Sequence, residues 1–337
     1  MKKLSRHVYL ALLIPALLFL FSCKPRVYKK SGLLKTIPLN IIVVSNSEPK
    51  WDDIFKFVNE KTVLMDHRNP LSPLWKLNKN GNAAVSDELL KVIEESVKVA
   101  RESGGAFDPS IFPLTKLWGF DHGGRLPSKE DIKKVKNLVN YRLIKIKPDG
   151  TVAIPNGMGL DLGGIAKGAI VDELADYLNT KGYSQFLIDA GGDILMQGLK
   201  INAKWKIGIK HPRKDNSYIT VVSLGRRNTV DKRGRLSIVS SGDYEQYFIK
   251  GGVRYNHIIN PETGYPANGA VSVTVISSSC TEADAYSTAA FVLGYKRGLA
   301  FLKNLPAAAG LIIREEEGRL QAEETDNFPV PLDKLKL

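Results

Sequence analysis

The stretch GLDLGGIAKG, residues 159–168, is the most informative part of this 337-residue chain. It joins a strand-like segment, 151–154, to a helix-like segment, 169–178. Glycine lets a backbone approach a ligand closely, and the N-terminus of a helix presents free N–H groups to an anion. With Lys167 at the helix start, the stretch predicts a phosphate-binding turn; the alternative is a glycine-rich turn that only packs tightly. It is neither a Walker A loop nor a GxGxxG dinucleotide motif.

The N-terminus indicates export. Three basic residues precede an apolar run, 8–21, which is shorter than the roughly 20 residues that a membrane-spanning helix needs. The run ends in LFSC, residues 20–23, which resembles a bacterial lipobox. Residues 1–22 are therefore predicted to be a lipoprotein signal peptide, and residues 23–37 to be the lipidated Cys23 and a tether. The mature protein would be anchored in a membrane and face the periplasm or the cell exterior. The alternative is an ordinary signal peptide with an incidental cysteine.

The composition fits a globular domain without disulfides. Hydrophobic residues make up 43% of the chain, enough for a sizeable core, and Cys280 is the only cysteine besides Cys23. No CxxC pair or other zinc-binding spacing occurs in the sequence. The formal charge of +13 suits phosphate ligands or an anionic membrane surface. Because the basic residues are dispersed and the protein is exported, we expect no nucleic-acid partner.

Hydrophobic periodicity predicts an α+β fold, in which strands come in runs with helices interspersed. An apolar face along residues 86–101, followed by two glycines, predicts a helix, and Ser128 is predicted to cap another. Residues 142–147 and 151–154 flank a Pro-Asp-Gly turn and predict a hairpin. Further strands are predicted over 186–189, 206–210, 219–224, 237–240, 271–276 and 310–313, and further helices over 169–178, 283–293 and 296–304.

Three further segments place small and polar residues beside hydrophobic runs, at 105–120, 240–266 and 281–289. In the last of these, Asp284 and Thr288 are four residues apart, so on a helix they share a face. A carboxylate and a hydroxyl are oxygen ligands of the kind that Mg²⁺ prefers. Taken alone, such a pair is more often a surface or capping contact than a metal site.

Together, these segments resemble the ApbE family of FAD:protein FMN transferases, many of which are exported bacterial lipoproteins. The family patterns are met, in order, by GAFD (105–108), PLTKLWGF (113–120), DLGGIAKG (161–168), GGD (191–193), WKIGIKHP (205–212), SGDY (241–244), HIINPETGYP (257–266), VTV (273–275) and ADAYST (283–288). The resemblance covers residues 60–313. The segments at 38–42 and 72–78 depart from the family pattern.

The resemblance implies a single large, T-fold-like catalytic domain over residues 38–330, after the signal peptide and tether. It implies transfer of FMN from FAD, the substrate, to a threonine or serine hydroxyl of another protein, with Mg²⁺ as cofactor and AMP as product. The acceptor would be an exported or membrane redox protein that carries a short threonine-containing flavinylation motif.

The resemblance also assigns roles to individual residues. The backbone carbonyl of Ala166 and the side chains of Asp284 and Thr288 are expected to hold Mg²⁺, and His257 is expected to activate the acceptor hydroxyl. Lys167 is expected at the diphosphate. The full set expected to bind FAD is Asn78, Phe107, Asp108, Trp118, Gly163, Gly164, Lys167, Gly192, Asp193, Ser241, Gly242, Asp243, Tyr244 and Thr263. Its aromatic members are available to stack on the rings of the ligand.

Three other functions compete with this one. Ser47-x-x-Lys50 formally fits a serine hydrolase motif, but the SDN, KTG and GxSxG motifs that would accompany it are missing. A non-catalytic FAD-binding lipoprotein would need neither the metal-ligand pair nor His257. A Mg²⁺-dependent FAD pyrophosphatase, in which water replaces the acceptor hydroxyl, would use the same residues, so the sequence leaves that activity open.

Overall fold

The computed structural model describes residues 24–224 and 234–337. In chain order its strands are β1 (Arg26–Leu34), β2 (Ile37–Ser45), β3 (Asn82–Ala84), β4 (Lys145–Ile146), β5 (Thr151–Ala153), β6 (Phe186–Ala190), β7 (Asp193–Gln197), β8 (Trp205–Lys210), β9 (Tyr218–Leu224), β10 (Arg235–Gly242), β11 (Tyr247–Lys250), β12 (Val253–Asn256), β13 (Ser272–Ser277), β14 (Ala308–Glu316) and β15 (Arg319–Glu324). One eight-stranded sheet has the order β1-β2-β6-β7-β10-β13-β14-β15, and all its neighbouring strands are antiparallel. Smaller sheets pair β3-β5-β4, β8-β9 and β11-β12.

The α-helices of the described residues lie between these strands. They are α1 (Trp51–Leu64), α2 (Pro73–Asn80), α3 (Asp87–Glu102), α4 (Phe112–Trp118), α5 (Lys129–Lys136), α6 (Ala166–Thr180) and α7 (Cys280–Lys303). The helix α7 is interrupted at Gly294, whose φ of 75° and ψ of −178° are not helical. This interruption falls between the two helices predicted there. Antiparallel strands with separate helices confirm the predicted α+β class.

Alternating side chains of the large sheet enter two separate cores. In β6, Phe186 and Ile188 join a core with the apolar residues of α6 and α7, whereas Leu187 joins a core on the opposite face. In that second core, Leu187 lies with Trp205 and Ile207 of β8. The sheet is therefore covered by helices on one face and by the β8–β9 ribbon on the other.

Gly168 and Asp172 hold α6 against the start of α7. A Cβ atom at Gly168 would lie 2.3 Å from the carbonyl oxygen of Cys280, so only glycine allows this close approach. The carboxylate of Asp172 accepts hydrogen bonds from the N–H groups of Cys280 and Thr281 and from the hydroxyls of Ser279 and Thr281. These contacts satisfy the free N–H groups at the start of α7 and set its position relative to α6.

Most local predictions are confirmed, with shifted ends. Ser86 and Ser128 cap α3 and α5, because each hydroxyl oxygen accepts the N–H group three residues further on. The hairpin that joins β4 to β5 is also confirmed, although its strands are shorter than predicted. The helix α6 begins at Ala166 rather than at residue 169, so Lys167 lies within its first turn.

The tether prediction is wrong for the described part of residues 23–37. Residues 26–34 form β1, which pairs with β2 along its whole length, so the folded domain begins near residue 26 rather than 38. β1 is an edge strand with mostly exposed side chains, and its sequence therefore lacks the apolar alternation that marks a half-buried strand. The predicted signal peptide, 1–22, and Cys23 lie outside the described residues. Among the residues that are described, no helix is long and apolar enough to cross a membrane.

We expect Asp172→Ala to lower the free energy of unfolding by about 3 kcal/mol, because hydrogen-bond donors at the start of α7 lose a charged acceptor. Asp87→Ala, which removes an exposed carboxylate from the first turn of α3, should change it by less than about 1 kcal/mol. Urea denaturation followed by circular dichroism compares the two variants. A midpoint for Asp172→Ala equal to that of the wild type would contradict this role.

Candidate active site

The glycine-rich loop before α6 is shaped by hydrogen bonds to its backbone. Asp161 Oδ1 accepts a hydrogen bond from Gly163 N at 2.9 Å, and Oδ2 accepts one from the Thr115 hydroxyl at 2.8 Å. The Asn78 amide brackets Leu160, because Nδ2 donates to its carbonyl oxygen at 2.8 Å and Oδ1 accepts from its N–H at 2.7 Å. Side chains of α2 and α4 therefore hold the loop in place.

Close packing over Gly164 leaves little room for a side chain there. A Cβ atom at this position would lie 3.2 Å from the Phe107 ring and 3.2 Å from Thr288 Oγ1. The loop thus brings Phe107 and Thr288 together, as the resemblance implies for two residues of one site. Phe107 is buried and Gly163 is exposed, so the loop exposes backbone to solvent at Gly163 and packs on the Phe107 ring at Gly164.

A buried charge cluster lies at the start of α6. Lys167 Nζ is 3.0 Å from Asp193 Oδ2 and 3.2 Å from Asp284 Oδ1, and Gly168 N donates to Asp284 Oδ2 at 3.2 Å. The two carboxylate side chains are only 4% and 3% exposed. Burial raises the pKa of Asp193 well above its usual range, because charge is costly away from water. Burial alone would lower the pKa of Lys167, but the charges of both aspartates outweigh it and raise that pKa.

Hydroxyl groups of β10 and α7 lie beside this cluster. Ser241 Oγ is 2.9 Å from Ser287 Oγ and 3.4 Å from Thr288 Oγ1. Ser241 is the next-to-last residue of β10, which is longer than predicted, so a strand rather than a loop positions it. Thr288 follows Asp284 by four residues on α7, which confirms that the two residues share a helix.

His257 follows β12 and is half-buried. Its Nδ1 lies 3.2 Å from the carbonyl oxygen of Gln246, which can only accept, so Nδ1 carries the proton and Nε2 is left with a free lone pair. Burial lowers the pKa of His257, the Gln246 carbonyl raises it, and the positive charge of Lys167 lowers it again. The imidazole is therefore neutral near pH 7, as a general base requires.

Tyr244 forms an aromatic wall after β10. A Cβ atom at Gly242 would lie 2.4 Å from its ring, so glycine is required for the ring to lie against the backbone. The Tyr244 hydroxyl is 3.2 Å from Ser272 Oγ, and Lys210 Nζ lies 5.0 Å from the ring centroid. Burial raises the pKa of Tyr244 to about 12, so its hydroxyl stays neutral.

Three residues expected to bind FAD direct their polar atoms to the protein instead. Asn78 brackets Leu160, as described above. Asp108 is buried, and its carboxylate accepts hydrogen bonds from the N–H and hydroxyl of Ser110 and from Tyr141 N. Asp243 forms a bidentate pair with Arg213 at 2.7 and 2.8 Å. These contacts position the loops of the site, and the ligand roles of Asn78, Asp108 and Asp243 stay predictions.

The structure contradicts the stacking role predicted for Trp118, because this residue has no exposed surface. Its indole N–H donates to the carbonyl oxygen of Gly264 at 2.8 Å, and its ring packs with Leu114, Ile132 and Ile259. A fully buried ring offers no free face for stacking on a ligand. Trp118 is a core residue that joins α4 to the turn after His257.

Gly192 and Thr263 both lie in exposed turns. Gly192 has a φ of 100° and donates its N–H to Asp189 Oδ1 at 2.9 Å, so it allows the tight turn that leads into Asp193. Thr263 Oγ1 accepts a hydrogen bond from Tyr265 N at 3.2 Å. The described contacts do not bring Thr263 to the charge cluster, and its ligand role stays a prediction.

Several residues near the site were not predicted from the sequence. His67 Nδ1 is 3.6 Å from Asp161 Oδ1, and Thr115 holds the other oxygen of the same carboxylate. Arg213 is 2.8 Å from Glu315 as well as paired with Asp243, so it ties the β8–β9 ribbon to β14. His67 lies outside every quoted motif, whereas Thr115 lies inside PLTKLWGF, but the sequence does not show that its hydroxyl bonds to Asp161.

The donors at this site fit a hard cation. Asp284 supplies a buried carboxylate, and Thr288 and Ser241 supply hydroxyls. The Thr288 hydroxyl faces a small space beside Gly164 that a Cβ atom at this position would fill. Ala166 is the first residue of α6. Across residues 24–224 and 234–337, no three His, Cys, Asp or Glu residues gather as a metal set. A cation here would therefore rely on a mixture of carboxylate, hydroxyl and backbone oxygens.

The fold and these motifs place the chain among known flavin transferases. Its structure is similar to the ApbE protein of Thermotoga maritima, with a TM-score of 0.78 at 31% identity, covering 89% of this chain and 97% of that one. It is equally similar to the flavin transferase ApbE of Vibrio cholerae, with a TM-score of 0.78 at 28% identity, covering 90% and 98% of the two chains.

Sequence comparison leads to the same family. A model of the ApbE family matches residues 36–312. The FAD:protein FMN transferase of Treponema pallidum (strain Nichols) is 32% identical over 313 residues, which cover 86% of this chain and 81% of that protein. The chain belongs to the ApbE family.

Proposed function

We propose that this protein catalyses Mg²⁺-dependent transfer of FMN from FAD to a threonine or serine hydroxyl of an exported or membrane redox protein, with release of AMP. Its membership of the ApbE family and its similarity to curated FAD:protein FMN transferases support the transferase class. The oxygen donors of Asp284 and Thr288 support the metal, whereas the acceptor hydroxyl and the AMP product follow from the resemblance to the family.

The observation that carries this proposal is a lysine held between two buried aspartates, whose positive charge acts on a neutral histidine. Lys167 and Asp284 come from α6 and α7, 117 residues apart, and the charge of Lys167 acts on His257 from a third segment. A positive group suits a diphosphate, and a neutral imidazole suits a hydroxyl that must lose a proton. A protein that only stored FAD would need neither.

Asp284, Thr288 and the Ala166 carbonyl would hold the Mg²⁺ ion. When bound, the ion would neutralise charge that develops on the phosphate oxygens. Lys167 would act at the diphosphate, and the N-terminus of α6 adds the positive end of the helix dipole. The Phe107 ring lies against Gly164 of the loop, and the Tyr244 ring lies against Gly242 at the end of β10.

His257 would act on the acceptor. Its Nε2 would take the proton as the hydroxyl oxygen bonds to the FMN phosphorus, while the phosphorus–oxygen bond to the AMP half breaks and AMP leaves with the electron pair. Gln246 holds the tautomer that makes Nε2 the acceptor, and Asp161 and Lys167 set the local field. The low pKa of His257 keeps this base available below neutral pH.

A second activity, Mg²⁺-dependent FAD hydrolysis to FMN and AMP, is favoured by the half-buried state of His257, which leaves it within reach of water. Incubation with FAD, Mg²⁺ and a candidate acceptor separates the possibilities. We expect flavin bound covalently to the acceptor; free FMN alone would indicate a pyrophosphatase, and intact FAD would indicate storage.

We also propose that the protein is a lipoprotein, anchored through Cys23 and facing the periplasm or cell exterior. The support is the LFSC motif after a basic and apolar leader. Cys280, the other cysteine, is buried and free, so it offers no alternative site for a lipid.

For the metal site, we expect Asp284→Ala to abolish most turnover, because the only charged ligand proposed for Mg²⁺ is lost. FAD should still bind in part through the loop and aromatic contacts. Asp215→Ala, which changes an exposed aspartate in the turn after β8, should retain full turnover. AMP release and flavin fluorescence measure the two properties separately, and full activity of Asp284→Ala in Mg²⁺ would place the metal elsewhere.

For the proposed base, we expect His257→Ala and His257→Asn to slow transfer by about 10² to 10⁴-fold with little change in FAD affinity, because asparagine restores a hydrogen bond but not basicity. His122→Ala, at an exposed histidine, is the matched control. Wild-type transfer should also hold its rate down to about pH 6.5, since the pKa of His257 is lowered below that ordinary histidine value. Wild-type rates in both His257 variants would make this residue structural.

For the anchor, we expect Cys23→Ser to release the protein from membranes or to leave its leader uncleaved. Cys280→Ala should leave membrane association as it is in the wild type. Fractionation and the mass of the mature N-terminus test both variants. An unchanged partition and an unchanged N-terminal mass in Cys23→Ser would exclude lipidation there.

A further inference from the structure

Lys167 has two carboxylate partners, and the proposed cation needs one of them. Its ammonium lies 3.0 Å from Asp193 Oδ2 and 3.2 and 3.3 Å from the two oxygens of Asp284. Lys167 itself keeps 26% of its side chain exposed, whereas both carboxylates are almost completely buried. One positive and two negative charges therefore share a small volume with little water to screen them.

The carboxylates are held more firmly than the lysine. Asp284 lies on α7, and Gly168 N donates to its Oδ2 at 3.2 Å, so it keeps a backbone partner without Lys167. Asp193 begins β7, where it pairs in register with Ala190 of β6. Lys167, by contrast, reaches both through a flexible four-carbon chain. The mobile member of the cluster is thus the cation.

Lys167 is the cation that pairs with Asp193. The Oδ2 atom of Asp193 is buried and lies 3.0 Å from Lys167 Nζ, so this ammonium balances its charge. A buried carboxylate without such a partner would be costly. If Lys167 left Asp284, it would therefore stay with Asp193 rather than move into solvent.

We propose that Lys167 competes with the metal ion for Asp284, and that Asp193 sets the metal affinity by offering Lys167 an alternative partner. This inference rests on the proposed metal site. Without a divalent cation, Lys167 neutralises Asp284. When a cation binds to Asp284, Lys167 retains only its ion pair with Asp193. Asp193 is then a positioning residue that acts on the metal site through Lys167.

Two substitutions should change metal affinity in opposite directions. Lys167→Met removes the competing charge and leaves two carboxylates, so Mg²⁺ and Mn²⁺ should bind at least about tenfold more tightly. Asp193→Asn leaves Lys167 with Asp284 alone and removes a negative charge, so both ions should bind at least about tenfold more weakly. Lys181→Met, at the C-terminal end of the same helix, controls for the change in net charge and should bind like the wild type.

The measurement is calorimetric titration of the whole mature protein with MgCl₂ or MnCl₂ in the absence of FAD, after circular dichroism has shown each variant to be folded. Because the two variants move the affinity oppositely, a general loss of folding cannot imitate the result. Equal affinities of Lys167→Met and the wild type would overturn the competition. Titration of Asp284→Ala tests the metal site separately from the competition. If this variant binds the ions as tightly as the wild type, the proposed metal site is wrong, and the competition is wrong with it.

Discussion

The contact between α6 and α7 at Gly168 is the constraint on which the rest of the site depends. With a Cβ atom 2.3 Å from the Cys280 carbonyl oxygen, any other residue would push the helices apart. Lys167 directly precedes this glycine, and Asp284 follows Cys280 by one helical turn, so the same approach brings their side chains within 3.2 Å. Asp172 reinforces the contact one turn further along α6.

The site is built at some cost to stability. The half-buried Asp172 and the buried Asp193 lose hydration, and this loss is the largest influence on the pKa of each carboxylate. Hydrogen-bond donors surround Asp172, which has a structural role, whereas Asp193 relies on the charge of Lys167. A cluster balanced by a single lysine is a poor way to stabilise a core, but it suits a site in which charges are rearranged when a ligand binds.

The sequence was sufficient for the α+β class, the caps at Ser86 and Ser128, and the family, because these depend on local patterns and ordered motifs. It was insufficient for β1, an edge strand whose side chains are mostly exposed and which therefore lacks a periodic apolar pattern. The sequence also could not distinguish residues that contact a ligand from residues that only position the contacting ones. Phe107 and Trp118 occur in neighbouring motifs, yet the first lies against Gly164 and Thr288 whereas the second is enclosed in a separate cluster.

The chemical state of His257 shows most clearly why such information is absent from side-chain patterns. The carbonyl oxygen of Gln246 selects the tautomer, and the main chain carries a carbonyl oxygen whatever residue occupies position 246. The β11–β12 hairpin supplies this contact, because its antiparallel strands bring His257, just after β12, next to Gln246, just before β11. The backbone N–H of His257 also donates to Gln246 O at 3.0 Å. The tautomer of His257 therefore depends on the register of the two-stranded β11–β12 ribbon. Because that register is set by the pairing of four residues with four and not by a motif, only the folded structure reveals which nitrogen of His257 is free to accept a proton.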